Sequence, residues 1–462
     1  MNFKRHASSY LKTWKSSKYR KPLVLRGARQ VGKTTLIKEF ANSFKHFISL
    51  NLEKPTDTSF FESYDDVGTL VEALFLNYRI NPKELGDTLL FIDEIQELPK
   101  AIQSLRYFYE EVPQLNVVAA GSLLEFAMKD VASFPVGRIE NLHLYPLNFQ
   151  EYLEAIKHPI AVEELNLVPL RPVAHKVLLD LFHRYAIIGG MPEIVRTDIE
   201  NETLAALPKF YESIWGTYKN DVEKYASNPK ERTIIKFIME TAPLYMDQRV
   251  KFQNFGNSGY GSRDVAKAFR NLDLAKIIQI IYPTTDMERP IKPDLRKSPR
   301  LQFLDTGLVN YTIGIQAELL SMEDLSPAFK GAMIPHIITQ ELISLNTIKN
   351  IKPHFWVRDK KQATAEVDLL FQYADKVIPI EVKSGATGSL RSLHQFMDRS
   401  NHPYAVRMYA GEFKIQKSIT FNGTPFILMN LPYYLGTKLP EYIEYLLEHH
   451  GLEQLSPNCS KE

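Results

Sequence analysis

With 462 residues, 44% of them hydrophobic and 11% aromatic, the chain is too long for one core and too apolar to be disordered, so two or three folded domains are expected. Its 56 Lys and Arg nearly balance 54 Asp and Glu, which removes any whole-chain electrostatic case for a nucleic-acid or membrane surface and leaves only local ones. The single cysteine, Cys459, has no partner, which excludes an internal disulfide framework and a cysteine-based zinc site.

Lys4, Arg5, Lys12 and Lys15 are not followed by the apolar core of a signal peptide. No stretch approaches the roughly 20 apolar residues of a membrane span. A cytoplasmic protein with no membrane partner is expected.

A short helix over Ser9–Trp14 leads to Leu23–Leu25, a strand-length apolar run that ends at Gly27, and a helix begins at Lys33. Apolar runs at Phe47–Leu52, Leu89–Ile92 and Val117–Ala120 alternate with helical stretches, which predicts a parallel sheet. A strand over Asn141–Tyr145 and a helix over Phe149–Ile156 place the first boundary near residue 160. From Val173 to about Lys251 the pattern is helical, broken at Gly189-Gly190-Met191-Pro192. A glycine-rich loop over Asn254–Ser262, a helix over Arg263–Ile278 and a strand over Ile280–Tyr282 suggest a winged-helix-like unit in a middle region spanning 161–330. Beyond it, residues 331–462 read as an α/β domain with strands at Glu366–Tyr373 and Val377–Val382.

Gly27-Ala28-Arg29-Gln30-Val31-Gly32-Lys33-Thr34 matches G-x-x-x-x-G-K-[ST] and lies between a strand and a helix, the context a phosphate-binding loop needs. Backbone amides from Gly27 through Thr35 would wrap the phosphates, Lys33 would reach the β and γ phosphates, and Thr34 would offer a hydroxyl to Mg2+. The helix start adds its dipole. The segment Thr88–Glu94 (TLLFIDE) is an apolar strand ending in two acids: Asp93 to hold Mg2+, Glu94 to orient an attacking water. Ser122, at the end of a third strand, is a candidate sensor of the γ phosphate. Arg138 is either a phosphate-contacting finger, in its own chain or a neighbouring subunit, or a surface arginine.

The phrases LVLRGARQVGKTTL, LLFIDEIQELP, AAGSLLEF and PVGRIENLHLYPL resemble the AAA-type P-loop ATPase family of bacteria and archaea. GGMPE (Gly189–Glu193), the segment Tyr218–Lys224 and FLDTGL (Phe303–Leu308) resemble the uncharacterised C-terminal region that accompanies that family. The resemblance implies an ATP-dependent machine or switch, often oligomeric. Ser122 departs from the asparagine usual at the first sensor position, which implies slow hydrolysis.

In AEVDLLFQYADKVIPIEVKSG, period-two alternation puts Asp368 on one face with Glu366, and Glu381 on one face with Lys383. The set resembles the core of the PD-(D/E)xK nuclease superfamily, with Asp368 and Glu381 as Mg2+ ligands, Lys383 as a charge stabiliser, Glu341 as an extra acid and Gln395 as a helper. A hairpin with one charged, solvated face is the alternative. In the middle region Arg263, Lys267 and Arg270, with Arg296, Lys297 and Arg300, would contact DNA phosphates if the unit is a winged helix, and otherwise form a solvated face.

The fold class expected is therefore α/β: an N-terminal AAA-like P-loop parallel sheet, a helical and winged-helix-like middle, and a C-terminal restriction-endonuclease-like domain. The expected function is Mg2+-dependent ATP hydrolysis coupled to a conformational change, with DNA, a protein or further copies of the chain as partners. The alternative is a nucleotide-controlled binding switch whose nuclease-like domain is silent. A small-molecule kinase ranks last, because Glu94 adjoins Asp93 and no arginine-rich lid follows.

Overall fold

The computed structural model describes residues 2–122, 124–127, 135, 137–201, 206–316, 331–349, 351–359, 365–385 and 388–451. Cys459 lies outside them. The chain forms two compact units: Met1–Pro146 with the short segments Leu274–Ile277 and Asn346–Asn350, and Leu147–Asp273 with Ile278–Leu345 and Ile351–Glu462.

In the first unit β1 (Leu23–Arg26), β2 (His46–Asn51), β3 (Thr88–Asp93), β4 (Asn116–Gly121) and β5 (Glu140–His143) form a parallel sheet in the order β2-β3-β4-β1-β5. β3 and β4 are buried along their whole length, as a sheet covered by helices on both faces requires, and this is why they read as unbroken apolar runs. Leu90, Ile92, Val117 and Ala119 pack against Leu70, Leu74, Ile102, Leu105 and Phe108 of the flanking helices Val67–Tyr78 and Pro99–Glu111. Each fully buried Leu, Ile or Phe contributes roughly 1.5–3 kcal/mol. Because β4 lies between β1 and β3, the carboxyl ends of all three converge on one edge of the sheet.

The expected boundary near residue 160 falls at Pro146 instead. The cause is the helix Phe149–Ala155: Asn148 and Glu151 close a capping box at its start, Leu147 N–H donates to Gly190 O, and Glu341 receives the Phe149 N–H, all within the second unit.

The middle and C-terminal regions, expected as separate domains, share this second unit. After the helices Pro208–Tyr225, Pro229–Thr241 and Ser262–Leu274 comes β6 (Ile278–Ile281), which starts two residues earlier than expected and pairs antiparallel with β8 (Arg300–Phe303). Between them, β7 (Pro283–Thr284) pairs in parallel with β9 (His354–Val357), which ties the middle region into a seven-stranded sheet. That sheet continues through β10 (Glu366–Tyr373), β11 (Lys376–Val382), β12 (Tyr404–Tyr409), β13 (Lys414–Ile419) and β14 (Pro425–Pro432) in the order β13-β14-β12-β11-β10-β9-β7. No helix among the described residues is long and apolar enough to cross a membrane.

Candidate functional site

The turn from β1 into the helix Lys33–Ala41 is built by its glycines. Gly27 approaches the Leu144 carbonyl so closely that a Cβ would stand 2.3 Å from its oxygen, and Gly32 takes a left-handed conformation at φ 95°. Gln30 is also left-handed, at φ 62°. Arg5 braces the loop from outside by donating to Val31 O at 2.9 Å and to Tyr145 O. Ala28 and Val31 are buried packing residues, so they would serve a ligand through backbone groups only, while Thr35 is exposed on the first helical turn. Arg29 lies 3.9 Å from Glu53.

Lys33 is buried and folds back over the loop, donating to Ala28 O at 2.8 Å and Gly27 O at 3.1 Å. Burial lowers its pKa to about 8, against the raising pull of Glu94 and Asp93. Thr34 Oγ1 donates to Asp93 Oδ2 at 2.8 Å, which joins the helix start to the end of β3. Burial also raises the Asp93 pKa; the Thr34 bond opposes the shift, and the neighbouring Glu94 adds to it.

Glu94 is held left-handed at φ 51°, ψ 44°, a costly conformation for a residue with a side chain and one that recurs at active sites. Gln96 Nε2 donates to Glu94 Oε2 at 2.6 Å and fixes where the carboxylate points. The other amide atom of Gln96 packs against Gly121, where a Cβ would meet it at 2.5 Å. Ser122 Oγ and Gln96 Oε1, at this same end of β4, are buried without hydrogen-bond partners among the described residues. A hydroxyl and carboxylate pair at a helix start, an ammonium resting on loop carbonyls and two orphaned polar atoms form a donor set that fits magnesium and the phosphates of a nucleotide.

Arg138 is placed elsewhere. It precedes β5, whose Glu140 is in register with Leu23 at the start of β1, and it pairs with Glu110 at 2.8 Å. The length of β1, roughly 13 Å, separates it from the P-loop, so a finger acting within the same chain is ruled out by register.

Two residues near the loop escaped the sequence reading. Gln96 carried a local signal, two positions beyond Glu94. Glu125 did not: it lies 3.6 Å from Arg26 and 3.7 Å from Lys276, a residue about 150 positions distant in the chain.

In the second unit, Asp368 Oδ2 accepts from Val382 N–H at 2.9 Å, and Lys383 Nζ donates to Glu381 Oε1 at 2.7 Å. The β10–β11 register, Leu369 opposite Ile380, continued by one residue brings Asp368 opposite Glu381. Burial, with Asp368 beside it, raises the Glu381 pKa, and the Lys383 ammonium opposes the shift. Gln395 accepts from Arg358 at 3.0 Å and is thereby engaged.

Glu341 does not join this set. It is fully buried on the helix Met333–Ser344, accepts from Phe149 N–H at 3.1 and 3.2 Å, and lies 2.6 Å from Tyr185 Oη. Its role is to anchor a helix start. Arg300, expected on a DNA-facing surface, is instead enclosed by acids: Asp247 at 3.2 Å, Asp368 at 3.3 Å, and Glu366. Lys267 pairs with Glu231 at 2.8 Å and Arg296 with Asp294 at 3.0 Å, while Lys297 lies 3.9 Å from Asp359. Arg263, Lys267 and Arg270 share an exposed face of the helix Ser262–Leu274.

The motifs GGMPE and FLDTGL meet in the core of this unit. Asp305 Oδ2 accepts from Gly190 N–H at 2.6 Å and Oδ1 from Leu308 N–H at 3.1 Å. The two segments thus form a structural knot.

Residues 19–153 match the model of an AAA domain, and residues 179–319 and 330–427 match two domains of unknown function, DUF8612 and DUF4143. An uncharacterised protein of Methanocaldococcus jannaschii is 27% identical over 221 residues, 47% of this chain and 45% of its own length, so the alignment spans under half of that relative. An uncharacterised protein of Haemophilus influenzae is 21% identical over 373 residues, 78% of this chain and 81% of its own. Among solved structures, a Walker-type ATPase of Pyrococcus abyssi is 15% identical, with a TM-score of 0.43 over 67% of this chain and 96% of its own. A signal transduction ATPase with numerous domains and a tetratricopeptide repeat sensor, from Pyrococcus horikoshii, is 11% identical, with a TM-score of 0.29 over 75% of this chain and 46% of its own. The AAA-domain match covers the segment that carries the phosphate-binding loop and the residues gathered at the ends of β1, β3 and β4.

Proposed function

We propose that the N-terminal domain binds Mg·ATP and hydrolyses it, and that the hydrolysis cycle changes the conformation of the downstream region. The observation that carries this reading is the 2.8 Å bond between Thr34 and Asp93, two groups suited to share one cation, beside a lysine that waits on the loop carbonyls. Thr34 and Asp93 would hold Mg2+, which when bound offsets phosphate charge. Lys33 neutralises the β and γ phosphates. Glu94, aimed by Gln96, orients the attacking water, and Ser122 contacts the γ phosphate with a hydroxyl that has no hydrogen-bond partner among the described residues. Arg138, exposed at the far end of the sheet, is suited to act on a neighbouring copy rather than its own site.

The test is nucleotide binding and Mg2+-dependent hydrolysis by the full chain, with and without DNA. Lys33→Ala is expected to lose binding, and Glu94→Gln to bind without turnover. A parent that binds no ATP would overturn the reading, and a parent that binds ATP without turnover would make the protein a switch.

For the second unit we propose a nuclease-like platform, supported by Asp368 and Glu381 meeting on adjacent strands with Lys383 on the same face. DNA is the candidate partner, through Arg263, Lys267 and Arg270 on the exposed face of their helix.

A further inference from the structure

The nuclease resemblance implies a divalent cation on Asp368 and Glu381, and the residues that surround them do not fit one. Magnesium requires six oxygens in near-ideal octahedral array and keeps several waters. Around Asp368 the chain supplies its own positive charge. Arg300 Nη2 stands 3.3 Å from Asp368 Oδ1 and also binds Glu366, while Nη1 lies 3.2 Å from Asp247 and 3.4 Å from the Asp368 carbonyl. Asp368 Oδ2 is taken by the Val382 amide. Glu366 has a second cation, Arg249, at 3.6 Å, and Glu381 has Lys383.

Among the described residues four acids therefore meet three bases: Asp247, Glu366, Asp368 and Glu381 against Arg249, Arg300 and Lys383. The cluster is close to balanced without a metal, and a divalent ion would turn it net positive in a largely dehydrated site, where like charges repel strongly. The guanidinium is fixed as well as bonded, since Arg300 Cζ lies 4.7 Å from the centre of the Phe355 ring. Its planar fork reaches three carboxylates, Asp247, Glu366 and Asp368, with donors in a fixed geometry that a lysine ammonium does not have. Among the described residues no group of three or more His, Cys, Asp or Glu is arranged to hold a metal ion.

We propose that Arg300 is the resident cation of this nuclease-like site: it occupies the acid cluster in place of a divalent metal and holds the domain catalytically silent. The inference rests on reading Asp368 and Glu381 as a nuclease-like pair. It makes Arg300, on β8 of the two-stranded β6–β8 sheet rather than on the strands that carry the motif, the residue that decides whether the site takes a metal.

The experiment is Mn2+ binding to the full chain without nucleotide, read by the electron paramagnetic resonance of the ion. The parent and Asp368→Asn are expected to bind Mn2+ alike, because Asp368 offers it no site. Arg300→Ala is expected to gain a site about tenfold or more tighter than anything in the parent, which Asp368→Asn added to it removes. Metal should also raise the melting temperature of Arg300→Ala but not of the parent. Binding in the parent that depends on Asp368 overturns the proposal while leaving the nuclease-like reading intact. A folded Arg300→Ala that gains no site overturns both. If Arg300→Ala does not fold, the parent and Asp368→Asn comparison still decides: equal binding supports the proposal, and loss in Asp368→Asn overturns it.

Discussion

Glu341 offers the sharpest check on how the second unit is held together. Tyr185 has one hydroxyl proton and two oxygen neighbours, Leu147 O at 2.9 Å and Glu341 Oε1 at 2.6 Å. If the hydroxyl donates to Leu147, the Glu341 contact needs a proton on the carboxyl. Burial supplies the reason for one, since it raises Glu341 from 4.5 to about 8. A carboxyl whose pKa is raised on folding stabilises the fold fully at acid pH. That contribution declines as pH rises from the unfolded value through about 8, a loss of roughly 4–5 kcal/mol across the window.

Glu341→Gln keeps the neutral shape, with an oxygen for the Phe149 amide and an NH2 for Tyr185. At pH 5.5 it should cost about 1 kcal/mol or less, and at pH 9 it should exceed the parent by several kcal/mol. Glu341→Ala strands the Phe149 amide and opens a cavity, for a loss of about 3–5 kcal/mol at pH 5.5. With a urea slope of about 3 kcal/mol/M or more for a unit of this size, these differences move the unfolding midpoint by about 1 M. The assay is urea unfolding of the three proteins at both pH values, followed by circular dichroism. The reasoning fails if the parent's midpoint relative to Glu341→Gln is the same at both pH values, or if Gln costs as much as Ala at pH 5.5.

Other outcomes follow from the first unit and from the knot. Lys33, lowered to about 8 by burial, should regain its ordinary basicity beside phosphates, so nucleotide binding at pH 8 should take up about half a proton. Calorimetry in buffers of different ionisation enthalpy measures that uptake, and at pH 7, where Lys33 already carries its proton, it should fall to about a tenth of a proton. Asp305→Asn puts an NH2 against one of two backbone donors, Gly190 or Leu308, and should cost about 1–3 kcal/mol by urea unfolding. Arg138→Ala should leave ATP affinity unchanged. In the parent, hydrolysis per chain should rise with protein concentration, and in the variant that rise should disappear.

Much of the proposed ATP site is local in the chain, which is why its motif can be read from the sequence. The P-loop needs two glycines, a lysine and a threonine within eight residues, and the acidic pair needs only an apolar strand in front of it. A buried parallel strand announces itself by composition, so β1 to β4 were placed to within a residue or two. Period-two alternation also identified the faces on which Asp368, Glu381 and Lys383 stand.

Other features depended on contacts between distant parts of the chain. Strand order is one: β4 enters between β1 and β3, and so Ser122 comes to lie between the P-loop strand and the Asp93 strand. The partner of each buried charge is another. Glu341 stands 27 positions before Asp368 yet bonds to Phe149 and Tyr185, and Arg300 stands 66 positions before Glu366 and turns inward to it. Alternation tells which residues share a face, but which ion meets that face is settled only by packing, because a buried carboxylate must find a proton or a cation within hydrogen-bond reach wherever the fold brings one. The sequence by itself therefore carried the proposed nucleotide site, which rests on eight consecutive residues and one strand end. Only the tertiary structure decided what neutralises the acids of the second unit.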